Sequence, residues 1–408
     1  MAGTWIDIGE GFRGYLAVPR CGSGPGLLLL QEIFGVNPHM RDVADTYAEE
    51  GYAVLAPDLF WRLEPGVELG HSEADMARAF ALYERFDISL ATQDISTALA
   101  CLRARPECTG KAGALGFCLG GLLAYLAAAR CGVDCAVGYY GVGIEKHVDE
   151  ATSIACPLVL HFGECDALVP EAARDTIKAV LADRADARIF VYPGCDHAFN
   201  NPGRPSFDKA AALMAHSRSI AALRQAMGPH YDLSALWEQH TGYEFGARDA
   251  EATMRTMVAQ PYVNHIPVMT GGVGHADLLR FYTHHFIPKT PADTRLVPIS
   301  RTIGADRVVD EMLFCFTHDM EIDWMLPGIP PTGRYVEIPL VAIVCFRGDK
   351  LYHEHIYWDQ ASVLVQIGKL DPGGLPIAGA ETARKLIDEA LPSNSLMKSW
   401  ATSKGKPV

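Results

Sequence analysis

A cysteine flanked by glycines stands between an apolar run and a helical pattern. Residues 116–121 read Gly-Phe-Cys-Leu-Gly-Gly, after the apolar run 112–115 and before the leucine- and alanine-rich stretch 122–129. A strand, a tight turn and a helix with a nucleophile at the tip form a nucleophile elbow, where serine is the usual residue. The pattern therefore predicts that Cys118 is a nucleophile. The alternative is a buried structural cysteine that happens to have glycines nearby.

The elbow imposes physical requirements that this stretch meets. The turn holds its central residue in a strained conformation, so small neighbours are needed, and Gly116 and Gly120 provide the space. The sulfur of Cys118 would then stand at a helix N-terminus. Backbone N–H groups and the helix dipole there favour a thiolate and an oxyanion.

An acid and a histidine follow two later predicted strands. Asp166 comes shortly after the strand pattern 157–163, and His197 comes shortly after 188–193. Nucleophile, acid and histidine in this order are typical of an α/β-hydrolase triad. His197 would move the thiol proton, and Asp166 would fix the imidazole tautomer. Asp196 is a rival for the acid, but it adjoins His197 and would normally point away.

Alternating strand and helix patterns over residues 1–228 would position this set. They predict an α/β domain with a parallel sheet, whose catalytic residues lie at the carboxyl ends of the strands. The predicted strands are 26–33, 52–59, 112–118, 135–141, 157–163 and 188–193. The predicted helices are 39–50, 91–103, 119–130, 170–182 and 207–227.

Length and composition limit the classes of protein. A chain of 408 residues predicts two domains, and a net charge of −14 argues against nucleic acid or an anionic membrane as a partner. We see no signal peptide and no apolar run of membrane-spanning length. The eleven cysteines then indicate reduced thiols in the cytoplasm. Cys165 and Cys195 flank the acid and the histidine, but thiol chemistry needs no metal, so we expect neither metal nor cofactor.

The first domain resembles the dienelactone hydrolase (carboxymethylenebutenolidase) family. The resemblance is carried by residues 31–37, 56–60, 116–121, 138–143 and 196–199 and by the loop of Asp166. It implies a carboxylic ester hydrolase of class EC 3.1.1 that works through an acyl-enzyme. It also implies that Glu32 helps to generate the thiolate and that the backbone N–H groups of Leu119 and Ile33 form the oxyanion hole.

The residues that would select a substrate do not match this family. The positions of the arginines that grip the dienelactone carboxylate hold Met76 and Asn201 here. Arg62 aligns with a different arginine, whereas Arg78 and Arg204 lie close to the lost positions and could compensate. We therefore expect a hydrolase of a lactone or small ester and leave its substrate open.

The pattern changes after a predicted linker at 229–241. Residues 242–370 show helices and then strands, which indicates an α+β domain, and residues 371–408 form a helix and tail. The predicted helices are 247–259, 274–286 and, in the tail, 378–391, and the predicted strands are 297–303, 308–317, 335–346 and 350–358.

This second domain resembles the SnoaL-like polyketide cyclases, which are cone-shaped α+β barrels of the nuclear transport factor type. The resemblance is carried by residues 307–311, 316–318, 322–324, 338–339, 353–360 and 364–368. It implies that Asp359 is an acid/base group. His353 and His355 share one face of their strand and could line the same cavity or bind a metal.

Three functions remain open at this point. The chain could be a hydrolase with one active site, in which the second domain forms a homodimer or a substrate cup. It could be bifunctional, with Asp359 catalysing a cyclisation or isomerisation. It could also bind a small apolar ligand without catalysis.

Overall fold

The structure is a computed structural model that describes residues 3–407, and it divides into two compact units, Met1–Tyr231 and Asp232–Val408. The first unit contains, in chain order, β1 (Thr4–Gly9), β2 (Phe12–Ala17), β3 (Gly24–Leu30), α1 (Pro38–Glu49), β4 (Ala53–Pro57), α2 (Glu73–Tyr83), α3 (Ile88–Arg103), β5 (Cys108–Phe117), α4 (Leu119–Arg130), β6 (Ala136–Tyr139), β7 (Leu158–Gly163), α5 (Glu171–Leu181), β8 (Ala187–Tyr192) and α6 (Lys209–Met227).

Eight strands of the first unit form one mixed sheet in the order β1-β2-β4-β3-β5-β6-β7-β8. The six strands from β3 to β8 are parallel, as predicted, and β2 runs antiparallel to both β1 and β4. The hairpin of β1 and β2 and the helix α2 were not predicted. Helix α2 buries only Ala79 and Leu82 among its eleven residues, so its apolar pattern is weak.

The helix that follows the cysteine lies in the middle of the first unit's core. Every residue of α4 from Leu119 to Ala128 is buried, and so are all seven residues of β3. A helix that is apolar on all sides is stable only inside a large core. The turn that holds Cys118 therefore stands at the start of a deeply buried helix.

The second unit contains α7 (Leu233–Thr241), a π-helical turn (Gly242–Ala247), α8 (Ala250–Arg255), β9 (Met257–His265), β10 (Thr270–Val273), α9 (His275–Phe281), β11 (Arg295–Ile303), β12 (Arg307–Thr317), β13 (Tyr335–Arg347), β14 (Lys350–Trp358), α10 (Gln360–Gln366) and α11 (Glu381–Ile387). Its six strands form one sheet in the order β10-β9-β14-β13-β12-β11. Only β14 and β9 pair in parallel. The α+β order agrees with the prediction, whereas the cone-shaped barrel stays a prediction.

Three predictions for the second half need correction. The predicted linker 229–241 contains helix α7, which belongs to the second unit. The predicted helix 247–259 ends at Arg255, and strand β9 begins at Met257; Pro261 would interrupt a longer helix. The predicted helix 378–391 is shorter, Glu381–Ile387. Between residues 3 and 407, no helix is both long enough and apolar enough to cross a membrane.

Candidate active site

Cys118 occupies the turn between β5 and α4 in a conformation that non-glycine residues rarely adopt. Its φ is 55° and its ψ is −114°, and its N–H donates to the carbonyl of Tyr139 at 3.0 Å. A Cβ on Gly116 would lie 2.0 Å from the Gly120 oxygen, and a Cβ on Gly120 would lie 2.1 Å from the oxygen of Leu30. Only glycine fits at both places, so the spacing of the motif has a direct steric cause.

Leu119 and Ile33, the residues predicted to form an oxyanion hole, both line the cavity that contains Cys118. Leu119 is the first residue of α4, so helix geometry leaves its N–H without an acceptor inside the helix. Ile33 lies in the turn after β3, and both residues line the same cavity as Cys118. The two residues predicted to form the oxyanion hole therefore lie beside Cys118, and Leu119 stands at the positive end of the dipole of α4.

His197 and Asp166 form a short, buried contact at the carboxyl edge of the sheet. The Nδ1 atom of His197 lies 2.8 Å from Oδ2 of Asp166, whose side chain is completely buried. The other Asp166 oxygen accepts the N–H of Leu168 at 2.8 Å and that of Val169 at 3.3 Å. Since the carboxylate accepts from His197, Nδ1 carries the hydrogen and Nε2 is left for another partner.

The rival acid, Asp196, does not contact the imidazole. It is exposed, and its Oδ1 accepts the backbone N–H of His197 at 2.6 Å.

The electrostatic surroundings hold a proton on His197. Burial alone would lower the pKa of His197, but its interactions with Asp166 and with nearby Cys118 outweigh this effect and raise the pKa to about 10. The Nε2 atom is buried and has no partner of good hydrogen-bond geometry in the described part of the chain. It therefore forms the buried, polar side of the cavity next to the thiol.

Glu32 lies in the same cavity as the thiol and the imidazole. Burial raises the pKa of Glu32, and His197, Arg204 and the Asn201 amide oppose that shift. The sequence analysis did not identify Tyr140 as a site residue. The centre of its ring lies 4.7 Å from that of His197. Burial is the main reason that the pKa of Tyr140 is raised, and the charges of Glu32 and Cys118 raise it further. The hydroxyl of Tyr140 therefore stays neutral and donates a hydrogen bond to Asn200.

Apolar side chains form most of the cavity wall. The cavity holds about 720 Å³ of empty space, its open mouth included. Its lining consists of Glu32, Ile33, Phe34, Met76, Phe80, Tyr83, Cys118, Leu119, Val142, Leu168, His197 and Arg204.

The structure separates the three arginines that were candidates for substrate binding. Arg204 lines the cavity, with its guanidinium 6.0 Å from the ring centre of Phe34. Arg62 instead forms two hydrogen bonds with Asp94, at 2.7 and 2.9 Å, and Arg78 pairs with Glu64. Asn201 is buried beside Glu32.

The candidates in the second unit do not come together as predicted. Asp359 is exposed and caps α10, where it accepts the N–H groups of Ala361 and Ser362. His353 and His355 share a face of β14, but it is the opposite face from buried Glu354. None of these three lines the second unit's main cavity within residues 3–407. Glu354, which the sequence analysis did not identify, lines this cavity.

The first unit has the architecture of an α/β-hydrolase: a mostly parallel sheet with a strained cysteine turn after β5 and a histidine loop after β8. The dienelactone hydrolase family model matches residues 12–227. The chain belongs to the dienelactone hydrolase family and is a carboxylic ester hydrolase. The match ends at residue 227, so it leaves the second unit unassigned.

Individual relatives cover the same half of the chain. A candidate carboxymethylenebutenolidase from Azospirillum brasilense is 40% identical over 220 residues, which are 53% of this chain and 94% of the relative. Carboxymethylenebutenolidase 1 of Cupriavidus pinatubonensis is 35% identical over 222 residues, 54% of this chain and 94% of the relative. The crystal structure of a candidate dienelactone hydrolase from Klebsiella pneumoniae is similar with a TM-score of 0.50 and 29% identity, over 55% of this chain and 98% of that one.

Proposed function

We propose that the first unit hydrolyses a lactone or small ester through Cys118, His197 and Asp166. One arrangement supports this proposal above all: a cysteine held at φ 55° at the start of α4 shares a cavity with a histidine whose far nitrogen is bonded to a buried carboxylate. Nucleophile, base and orienting acid are the parts that covalent hydrolysis requires.

The reaction would proceed in two halves. The thiolate of Cys118 attacks the carbonyl carbon, and the N–H groups of Leu119 and Ile33 stabilise the oxyanion. The C–O bond then breaks, and the leaving oxygen takes the proton from Nε2 of His197. In the second half, His197 removes a proton from water, the resulting hydroxide attacks the thioester, and the thiolate leaves. A lactone would keep its leaving hydroxyl attached to the acyl group throughout.

Glu32 would control the charge of this pair. Its carboxylate is buried and acts on the same imidazole, so its ionisation changes how strongly His197 holds a proton. A neutral thiol is protected from oxidation, whereas a thiolate reacts. Glu32 is therefore proposed as a residue that positions protons around the nucleophile.

The cavity favours a mostly apolar substrate that can carry one negative group. Arg204 is the one arginine or lysine in its described lining, and its guanidinium lies 6.0 Å from the ring centre of Phe34. Arginine binds carboxylates with geometric specificity. We propose a carboxylate-bearing lactone or ester as the substrate class, with Arg204 in place of the arginines missing at Met76 and Asn201.

The nucleophile is tested by Cys118→Ala. The variant is expected to lose turnover of an activated ester such as p-nitrophenyl acetate, and a rapidly quenched wild-type reaction should show the acyl mass on the peptide that contains Cys118. Cys165→Ala, which changes an exposed cysteine in the loop of Asp166, serves as a matched control and should keep full activity. Turnover that survives in folded Cys118→Ala would refute the mechanism.

A further inference from the structure

The second unit encloses an apolar cavity that two buried glutamates line, and a buried histidine lies directly behind them. His240, Glu244 and Glu354 are at most 5% exposed. The cavity holds about 470 Å³ of empty space, its mouth included, and aromatic and aliphatic side chains form most of its wall. No established or proposed activity of the first unit uses these residues.

Three oxygen and nitrogen atoms converge beside this cavity, at the side chains of the two glutamates that line it. The Nε2 atom of His240 lies 3.1 Å from Oε1 of Glu244 and 3.1 Å from Oε1 of Glu354. His240 and Glu244 are four residues apart where α7 continues into the π-helical turn, so they project from the same side. Glu354 reaches the same point from the inward face of β14.

The hydrogen bonds of His240 leave one carboxylate without a proper donor. Its Nδ1 lies 2.5 Å from the hydroxyl of Thr256, which donates its own hydrogen to the carbonyl of Thr253, so Nδ1 must be the donor to Thr256. Nε2 can carry only one further hydrogen for two carboxylates. Within residues 3–407, Oε1 of Glu354 has no hydrogen-bond partner of good geometry, and neither has the buried hydroxyl of Tyr282 in the same cavity.

The charge of this cluster is also unbalanced. If both carboxylates are ionised, the cluster carries one negative charge in excess even with His240 protonated, and no lysine or arginine is part of the described cavity lining. A buried charge without a partner is costly. A divalent cation that replaces the shared proton would meet a neutral imidazole and two carboxylates, and the charges would then cancel.

We propose that His240, Glu244 and Glu354 bind a divalent transition-metal ion of the Zn²⁺ type. With metal–ligand bonds of about 2.1 Å, neighbouring ligand atoms lie about 3.0 Å apart in an octahedron and about 3.4 Å apart in a tetrahedron. The two separations of 3.1 Å fall in this range. Thr256 fixes the tautomer and orientation of the ligating histidine, as an outer-shell partner does. The remaining positions face the cavity, where water or a small oxygen ligand can complete the coordination.

The site is tested by calorimetric titration of the chelator-treated full chain with Zn²⁺, in which the number of ions bound by wild type is compared with the number bound by a ligand variant. Wild type is expected to bind one Zn²⁺ more per chain than Glu354→Gln, while cysteines and histidines elsewhere contribute equally to both. Glu311→Gln is the matched control, since Glu311 alternates away from buried Asp310 and Met312 on β12 and contacts Ser300. It should behave as wild type.

Thermal unfolding provides a second readout that separates binding from misfolding. Without metal, Glu354→Gln should unfold at a higher temperature than wild type, because it removes the excess charge. Zn²⁺ should raise the unfolding temperature of wild type and Glu311→Gln but much less that of Glu354→Gln. Thr256→Val should bind the same number of ions about 10- to 100-fold more weakly. Equal Zn²⁺ stoichiometry and affinity in wild type and Glu354→Gln, or no Zn²⁺-dependent stabilisation of wild type, would overturn the proposal.

Discussion

The contact between Asp166 and His197 yields a sharp prediction for Asp166→Asn. The asparagine oxygen can still accept the hydrogen bonds from the N–H groups of Leu168 and Val169. In that orientation the NH₂ group of the asparagine faces Nδ1 of His197. Nδ1 must then accept a hydrogen bond, so the neutral imidazole carries its hydrogen on Nε2. An imidazole in this tautomer cannot take the proton of the Cys118 thiol.

The expected loss follows from the charges around the imidazole. The rise in the pKa of His197 from its ordinary value of 6.5 to about 10 corresponds to roughly 5 kcal/mol in favour of the imidazolium. Asp166 and Cys118 share this effect, so removing the carboxylate should cost about 2–3 kcal/mol, or about 10²-fold in rate. The wrong tautomer adds to this and brings the loss toward the roughly 10⁴-fold effect known for serine triads. We expect kcat/KM to fall about 10²- to 10⁴-fold.

Two assays and one control variant check this reasoning. Turnover of p-nitrophenyl acetate gives kcat/KM, and the rate of Cys118 alkylation by iodoacetamide as a function of pH reports the thiolate directly. Asp196→Asn is the control, because Asp196 is exposed and contacts only the backbone N–H of His197 in the described structure; it should stay within about threefold of wild type. Folded Asp166→Asn with nearly wild-type turnover, or equal losses in both variants, would refute the assignment of the acid.

Two further predictions concern Glu32 and Arg204. Because burial raises the pKa of Glu32, the contribution of this residue to the stability of wild type falls as the pH rises above its ordinary pKa of 4.5, and Glu32→Gln lacks this dependence. The unfolding temperature of the variant minus that of wild type should therefore grow with pH, while kcat/KM falls at least about 10-fold. A difference in unfolding temperature that is independent of pH would contradict the burial argument. Arg204→Gln should lower kcat/KM for a carboxylate-bearing lactone about 10- to 100-fold and leave that for a neutral ester nearly unchanged. Equal losses on both substrates would show that Arg204 does not contact the carboxylate.

The residues of the first candidate site could be expected to lie together because their sequence signals are local. The turn around Cys118 requires glycines at fixed positions, and the loops of Asp166 and His197 directly follow apolar strands. Parallel strands bring their carboxyl ends to one edge of the sheet, so three distant segments could be expected to meet. The hairpin of β1 and β2 could not be predicted in this way, because it joins the sheet by antiparallel pairing with β4 and not through a connecting helix.

The second site could not be predicted from the same kind of signal. Helix α7 falls where a linker was predicted, although Leu233, Trp237 and His240 have helical spacing and all three are buried. On β14 the choice lay between the face of His353 and His355 and that of Glu354. The apolar residues Ile356 and Trp358 share the parity of the glutamate and are buried with it. The histidines drew the prediction to one face of β14, whereas the alternation of apolar residues indicates that the other face, with Glu354, is the buried one.

The charges of the first cavity link Glu32 to the choice of substrate. With Asp166, the thiolate and Glu32 ionised, and His197 and Arg204 positively charged, the site has one negative charge in excess. A carboxylate-bearing substrate adds another, and in a cavity of low dielectric two excess charges are costly. Such a substrate should therefore favour the protonated form of Glu32, whose pKa burial already raises. A neutral ester adds no charge and does not favour protonation of Glu32. Glu32→Gln should therefore lose less kcat/KM on the anionic substrate than on the neutral one. The two substrates chosen to test Arg204 thus also test the role of Glu32.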